Sequence, residues 1–368
     1  MNSPEIRDWN WLEVVFKKCR LPYPFISLFI AVSFILYNYY FSKYIVGYSY
    51  WGFEEILIIA SISILIFLEL SGVQYFLNAA REAFKKLEIS KEPNSTCSIS
   101  KKMYEVFSDK RRYYIIAFLV IIPFIVIDPI RGTYYLWSLE YGINIITILF
   151  DILNYITTFL IFSSIATFFW IMLNISFLIS TIENPCFMNK AQFNIYCEGT
   201  LIGLSSIRDL ILQITVFNSI CITMLLFSYI TPDEIFNIEI ILVIILASFG
   251  LYLFIQGWYV LNKIVSNIKY NQLAIIDDIY IQQRKRIDEI IIKETAHDDG
   301  KLNDIMKTLE FLKAEREQIN SSFKNVYDLR TIITFLGAQI LPFASKYQYI
   351  FIEKIKGEMM NLTLSIMN

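Results

Sequence analysis

Five polar residues recur at regular intervals within one long apolar stretch of the sequence. They are Asn144, Thr147, Asp151, Asn154 and Thr158, and successive members are three or four residues apart. This spacing places all five on one face of an α-helix. A polar face on an apolar helix indicates contact with water, where an aspartate carboxylate attracts cations. Two interpretations follow, which are the lining of an aqueous pathway and the solvated end of a helix that is longer than a membrane is thick.

A second candidate for chemistry is Glu69, which interrupts the apolar run "IFLELSGVQYF" close to Ser71 and Gln74. A carboxylate within an apolar helix is costly unless it faces protein or water. The sequence allows two arrangements, in which Glu69 either lines a cavity or is satisfied by Arg81 or by a neighbouring helix.

The third candidate is a broken apolar run, Tyr113–Ile130, which carries Pro123 in its middle and Asp128 near its end. Arg131 follows Asp128 at a spacing that permits an ion pair. Short interrupted helices often bind substrate in transporters, because their freed backbone groups coordinate ligands. The competing interpretation is a proline kink with a salt bridge at the membrane boundary.

Gly250 and Gly257 lie seven residues apart in a later apolar run, on one face of the predicted helix. Glycine at such positions lets two helices approach closely. We expect a role in helix packing, and a hinge is the alternative.

These residues must be positioned by membrane-spanning helices. The chain is 56% hydrophobic with a mean hydropathy of +0.50, which is too apolar for an ordinary soluble domain. A helical span needs ~20 apolar residues. Six runs fit: Phe25–Val46, Phe53–Leu77, Tyr113–Ile130, Ile143–Ile182, Ile207–Ile230 and Ile238–Leu261. The sequence therefore predicts an all-α, multi-pass integral membrane protein whose six-helix domain covers residues 25–261.

The basic residues predict the orientation of these spans. Of the 32 lysines and arginines, only Lys43 and Arg131 fall on one side of a six-span topology, and the basic loop 78–112 lies on the other. Basic loops face the cytoplasm. We therefore expect both termini in the cytoplasm and a location in a cytoplasmic membrane, with a composition suggesting a microbe.

Residues 1–24 precede the first span. They combine tryptophans with lysines and arginines and begin with a helix-capping serine, Ser3, followed by Pro4. Such a segment is typical of an amphipathic helix lying in the headgroup layer. We predict an interfacial helix here and expect the first apolar run to remain as an anchor.

Residues 262–326 have the periodicity of a cytoplasmic coiled-coil hairpin. Apolar or neutral positions first recur every eleven residues from Val265 to Ile290, a turn follows at His297–Lys301, and a heptad then runs from Leu302 to Val326. An eleven-residue repeat suits a nearly straight helix, and a heptad suits a coiled-coil partner. We predict an antiparallel hairpin continuous with the sixth span.

The C-terminal residues 327–368 contain a long apolar segment, Thr331–Ile352, interrupted by Gly337, Pro342 and Lys346. A seventh crossing would place further lysines on the outer side, against the charge rule. We therefore expect an interfacial or re-entrant segment.

Several function classes lack support in the sequence. It contains one histidine and no metal-binding, nucleotide-binding or hydrolase motif, so we expect no enzyme, no metal and no cofactor. Its basic residues in the hairpin are interleaved with acids, which argues against nucleic-acid binding.

Three functions remain. The first is an oligomeric ion channel or pore, assembled from copies of this chain, with the hairpin as a gating or assembly element. The second is a membrane-anchored scaffold or effector whose residues 262–326 bind a cytosolic protein. The third is a secondary transporter, which the broken third run favours and the lack of an internal repeat disfavours.

Overall fold

The protein is all-helical throughout the part of the chain that the structure describes. The computed structural model describes residues 21–41, 53–89, 99–122, 142–182, 198–229, 238–292 and 299–322, the short stretches 332–337 and 339–340, and residues 14, 18, 43 and 344. Eight helices occupy these ranges: α1 Tyr23–Phe41, α2 Phe53–Ile89, α3 Ile99–Phe107, α4 Lys110–Ile122, α5 Ile145–Ile182, α6 Glu198–Tyr229, α7 Ile238–Ile292 and α8 Asp299–Ser322.

Five of the described helices are long and apolar enough to cross a membrane. The candidate spans are Tyr23–Phe41, Ile56–Lys86, Ile145–Ile182, Leu204–Phe227 and Val243–Glu289. The prediction of a multi-pass helical membrane protein is thus confirmed at this level. Of the predicted third span, α4 supplies 13 residues, which is too short to cross, and residues 123–130 lie outside the described ranges. A count of six spans stays a prediction.

Local sequence explains where two of the helices begin. At α1, the carbonyl of Pro22 accepts a hydrogen bond from the Phe25 amide at 3.0 Å, and Pro24 falls in the first turn, where a missing N–H costs nothing. At α4, the Asp109 carboxylate accepts a hydrogen bond from the Arg111 amide at 3.2 Å. Aspartate at this position satisfies a backbone donor that the helix cannot.

Helix α2 lies at the centre of the bundle and packs against α1, α3, α5 and α6. Helix α7 packs against α6 and also contacts α5. Helix α5 in turn packs against α4. Aromatic rings fill the centre: Phe76 of α2, Phe168 of α5 and Phe217 of α6 lie with their ring centroids 5.0 to 5.8 Å apart. The contacts of α2 with α5 and with α6 therefore meet at one aromatic cluster.

Glycines of α2 and α7 lie in direct contact with side chains of α6. A Cβ atom added to Gly72 of α2 would lie 2.3 Å from the Phe217 ring, and one added to Gly257 of α7 would lie 2.5 Å from Ile211 of α6. Gly250 likewise faces Asn218 of α6, at 2.7 Å. Gly250 and Gly257 thus lie on the face of α7 that meets α6.

The two halves of α5 differ sharply in burial. Most side chains from Ile161 to Ile182 are buried among the other helices. In the N-terminal half, the apolar side chains of Ile145, Ile146 and Leu149 are each more than half exposed. Because α5 has 38 residues, it is roughly 57 Å long, nearly twice the ~30 Å thickness of a bilayer core.

Helix α7 continues without a break from its apolar segment into a charged one, over 55 residues or roughly 80 Å. Helix α8 packs against the second half of α7. Ile276 of α7 is buried with Leu312 and Ile319 of α8. Arg316 of α8 lies 3.6 Å from the carboxylate of Asp277. Leu312, Arg316 and Ile319 all belong to the predicted heptad, although coiled-coil packing itself stays a prediction.

The described part of the C-terminal segment contacts the apolar portions of α6 and α7. Residues 332–337 are helical, and Phe335 is buried with its ring stacked on Phe254 at 3.6 Å between centroids. Gln339 Nε2 donates to Ser219 Oγ of α6 at 2.7 Å. The chain that follows the hairpin therefore returns to the two helices that precede it.

The remainder of 327–368, like most of the predicted interfacial helix 1–24, lies outside the described residues.

Candidate intramembrane polar site

Glu69 is the most deeply placed acidic group in the described part of the bundle. It lies near the middle of the candidate span Ile56–Lys86, and its residue is 3% exposed. Ser164 of α5 donates to Glu69 Oε2 at 2.7 Å. Among the described residues, no basic side chain pairs with this carboxyl group. Arg81, considered above as a partner, lies twelve residues along the same helix, about 18 Å away, and donates to Asn78 instead.

The Ser164 hydroxyl lies within hydrogen-bond distance of two acceptors. Besides Glu69 Oε2, it is 2.8 Å from the carbonyl oxygen of Ile161. A hydroxyl carries one proton and cannot donate fully to both. A proton on Glu69 resolves this, because the carboxyl group then donates to Ser164 Oγ while Ser164 donates to Ile161. A small cation beside the carboxylate is the other way to compensate a buried charge. The site is therefore suited to binding and releasing a proton or a cation.

Further hydroxyl groups extend this site across α5 towards α4. Thr167, one turn from Ser164, is fully buried and donates to the carbonyl oxygen of Ser163 at 2.7 Å. The hydroxyl of Tyr113, on α4, lies 3.3 Å from Thr167 Oγ1. We call Glu69, Ser164, Thr167 and Tyr113 the polar row. It links α2, α5 and α4 within the apolar part of the bundle.

Two of the five residues of the predicted polar face serve as the cap of a helix. The Asn144 side chain accepts a hydrogen bond from the Thr147 amide at 2.9 Å, and Thr147 Oγ1 accepts one from the Asn144 amide at 3.1 Å. This reciprocal pair satisfies amide donors at the N-terminus of α5. Gly142 precedes it with φ +89°, a conformation that glycine adopts easily. These contacts give Asn144 and Thr147 a structural role.

The other three residues of that face follow along the N-terminal half of α5. Asp151 is 8% exposed, and Asn154 and Thr158 are half-buried. Asp151 lies thirteen residues from Ser164, about 20 Å along the helix. The structure therefore does not bring Asp151 and Glu69 into one site. An aqueous pathway along this face stays a prediction.

Of the remaining predicted residues, Asp128 and Arg131 lie outside the described residues, so their ion pair and the substrate site suggested there stay predictions. Gly250 and Gly257 both face α6, as given above. A hinge at either glycine also stays a prediction.

A second polar contact, not expected from the sequence, joins α5 to α7. Gln256 of α7 accepts a hydrogen bond from the Ser176 hydroxyl, and its amide donates to the backbone oxygen of Ser176 and to Ser180 Oγ. The available signal was the presence of polar residues within apolar runs, such as Gln256 in "LFIQGWY" and Ser164 in "FSSIA". Their partners are distant in sequence, so the signal marks the residue without identifying the contact.

Taken together, the described helices and the polar row define an all-helical membrane-protein architecture with five candidate spans and a buried acidic site. Comparison of the sequence and structure with known protein families, characterised proteins and solved structures found no match. Among the described residues, no group of three or more histidine, cysteine, aspartate or glutamate side chains is arranged to hold a metal ion.

Proposed function

We propose that this protein is a subunit of an oligomeric ion channel, in which Glu69 binds a proton or a small cation on its way through the membrane. The observation that carries the proposal is the burial of Glu69 between α2 and α5 with a serine as its hydrogen-bond partner. An ionisable group inside a span is costly, and most such groups serve ion or proton pathways.

The polar row supplies the surroundings that such a pathway requires. The hydroxyl groups of Ser164, Thr167 and Tyr113 can each donate and accept a hydrogen bond, so they replace part of the hydration that an ion loses on entering the bundle. Tight packing around them, including the fully buried Trp170 beside Tyr113, corresponds to a closed pathway. Opening would require a movement of α5 relative to α2 or α4.

The hairpin of residues 262–326 is proposed as the cytoplasmic gating or assembly element. Its support is the continuity of α7, which runs from its apolar N-terminal half to Ile276 without interruption. A continuous helix transmits a rotation or displacement along its length.

The segment at Phe335 and Gln339 is proposed to be re-entrant. Gln339 lies beside Gly250 of α7, and Gly250 is about 12 Å along the helix from Trp258, an exposed residue of the expected aromatic belt. The segment would therefore reach below the membrane surface that this belt marks.

The channel proposal predicts ion flux through purified protein reconstituted into liposomes. We expect proton or K⁺ flux, followed with an ion-sensitive dye, from a preparation that forms a closed oligomer in detergent. Breaking the α7 helix with Gly-Pro at Ser266–Asn267 should change this flux by about tenfold, because the substitution removes the rigid link to the hairpin.

Ser266 and Asn267 are both exposed, so an Ala-Ala pair at the same positions is a matched control that keeps the helix and should leave flux unchanged. A strictly monomeric protein without flux would contradict the channel proposal. Unchanged flux in the Gly-Pro variant would contradict the proposed role of the hairpin but not the channel proposal.

A membrane-anchored scaffold is the second candidate, and exposed apolar side chains on the hairpin favour it. Tyr270 and Ile275 of α7 and Phe311 of α8 are 73%, 59% and 65% exposed in a segment expected to face the cytoplasm. Large exposed apolar side chains are the groups that a protein interface buries. If this candidate is correct, Tyr270→Ser with Phe311→Ser should abolish binding of a cytosolic protein to the purified chain while membrane insertion and ion flux stay at the wild-type level. Binding that survives both substitutions would contradict it.

A further inference from the structure

A cleft separates α4 from α5 and α7 at one end of the bundle. Its volume is about 410 Å³, and its lining includes Arg112, Ile115 and Ile116 of α4, Asn174 and Phe177 of α5, and Tyr252 of α7. Apolar side chains thus form most of its wall, with a guanidinium group and an amide among them. This combination matches a molecule that has both an apolar chain and an anionic oxygen.

Asn174 provides the buried polar group of the cleft. It is 2% exposed, and within the described part of the chain its Nδ2 donor makes no hydrogen bond. A buried donor without an acceptor costs roughly 1–3 kcal/mol, so such groups usually have an unseen partner. An N–H donor requires an acceptor, and the phosphate and ester oxygens of a lipid are acceptors.

Arg112 provides the charge. Its side chain is 49% exposed and its Nε forms an ion pair with Asp109 Oδ2 at 3.0 Å, while the guanidinium lies over the Phe177 ring at 5.1 Å. The ion pair through Nε leaves both terminal amino groups of the guanidinium for another anion, and arginine binds phosphate with two such donors. Lys110 and Arg111 precede it, so the net charge of this corner is positive despite Asp109.

We propose that the cleft binds one anionic phospholipid, with its phosphate at Arg112, an oxygen of its headgroup or ester region at Asn174, and an acyl chain along Ile115, Ile116 and Tyr252. The basic residues predict that this end of the bundle lies at the cytoplasmic leaflet, which carries anionic lipids and attracts basic side chains. The proposal does not depend on whether the protein conducts ions.

The test is native mass spectrometry of the full chain, purified with a mixture of phosphatidylglycerol and phosphatidylcholine. We expect the wild-type protein to retain one phosphatidylglycerol in preference to phosphatidylcholine. Arg112→Gln should lower this occupancy by about tenfold, since it removes a charge-assisted contact. Asn174→Leu, which keeps the number and branching of the side-chain heavy atoms and removes the donor, should lower it several-fold.

Arg111→Gln is the matched control, because Arg111 carries the same charge next in sequence, is exposed and does not line the cleft. Its lipid occupancy should equal that of the wild type. Equal losses in the Arg111 and Arg112 variants would overturn the proposal in favour of general attraction by the basic surface. Displacement of the lipid by millimolar inorganic phosphate would also overturn it, because the apolar wall would then contribute nothing. If the Asn174→Leu variant keeps the wild-type lipid occupancy, the buried Asn174 donor does not bind the lipid.

Discussion

Replacing Glu69 by glutamine should reduce ion flux through reconstituted protein by about tenfold or more, while the protein still folds and assembles. Glutamine has almost the same size and still accepts the hydrogen bond from Ser164 that is seen at 2.7 Å. It cannot take up a proton or neutralise a cation, and this is the property on which the proposed pathway depends. Glu69→Asp keeps the carboxyl group but moves it away from Ser164, so we expect an intermediate flux.

Glu82 provides the control on the same helix. Its side chain is 68% exposed and pairs with Lys86 at 2.9 Å, so Glu82→Gln removes the same charge from α2 without touching the polar row. We expect wild-type flux from it. Both variants should elute from size-exclusion chromatography as the wild-type oligomer. If Glu69→Gln conducts as well as the wild type, Glu69 is not on the pathway.

Replacing Gly72 by alanine should cause a large loss of stability. The added Cβ would lie 2.3, 2.8 and 2.9 Å from three atoms of the Phe217 ring, and that ring is held against Phe76 and Phe168. Overpacking of this kind costs typically 1–3 kcal/mol, and alanine recovers roughly 1 kcal/mol of this over glycine in a helix, so with a crowded ring we expect a net loss of about 2 kcal/mol. A fall in the midpoint of thermal unfolding in detergent would measure the difference.

Alanine substitutions at two other glycines serve as comparisons for the stability cost at Gly72. Gly257→Ala places its Cβ within 3 Å of a single atom, the terminal methyl group of Ile211 at 2.5 Å. Because Gly72→Ala meets three ring atoms within that distance, the cost of Gly257→Ala should be smaller. Gly337 has no atom within 4 Å of a built Cβ in the described part of the chain, and Gly337→Ala should have little effect. The reverse order would show that α2 and α6 can separate without penalty, and the aromatic cluster would not be the centre of the bundle.

The membrane-spanning elements were predictable because a helix that crosses a bilayer must be long and apolar, a property each segment carries by itself. Five of the six predicted runs correspond to described helices of this kind. The continuity of α7 was predictable for a similar reason, since no proline or glycine pair interrupts the sequence between Ile240 and Arg286. Contacts between helices carry no such local signature. The approach of Gly72 to Phe217 joins residues far apart in the chain, and no pattern in the sequence pairs them.

The candidate site shows the same division between local and distant information. A three-four spacing identified Asn144 and Thr147 as one face of a helix, but the same spacing occurs between the first residues of a capped helix, and the sequence alone does not say where α5 begins. Glu69 was recognisable as a buried charge from its apolar neighbours. Its partner Ser164 was not, because the hydrogen bond joins residues that are 95 positions apart.

The contacts of Phe335 and Gln339 also affect how the hairpin behaves when it opens. Phe335 stacks on Phe254, so the intervening chain of about 80 residues is a loop whose two ends meet in the bundle. If α8 separates from α7, it remains tethered on both sides. Its rebinding to α7 is then intramolecular, with an effective concentration in the millimolar range. A free peptide would have to be present at millimolar concentration to match it. Openings of the hairpin should consequently be brief and reversible, and a soluble copy of α8 should compete poorly for its place on α7.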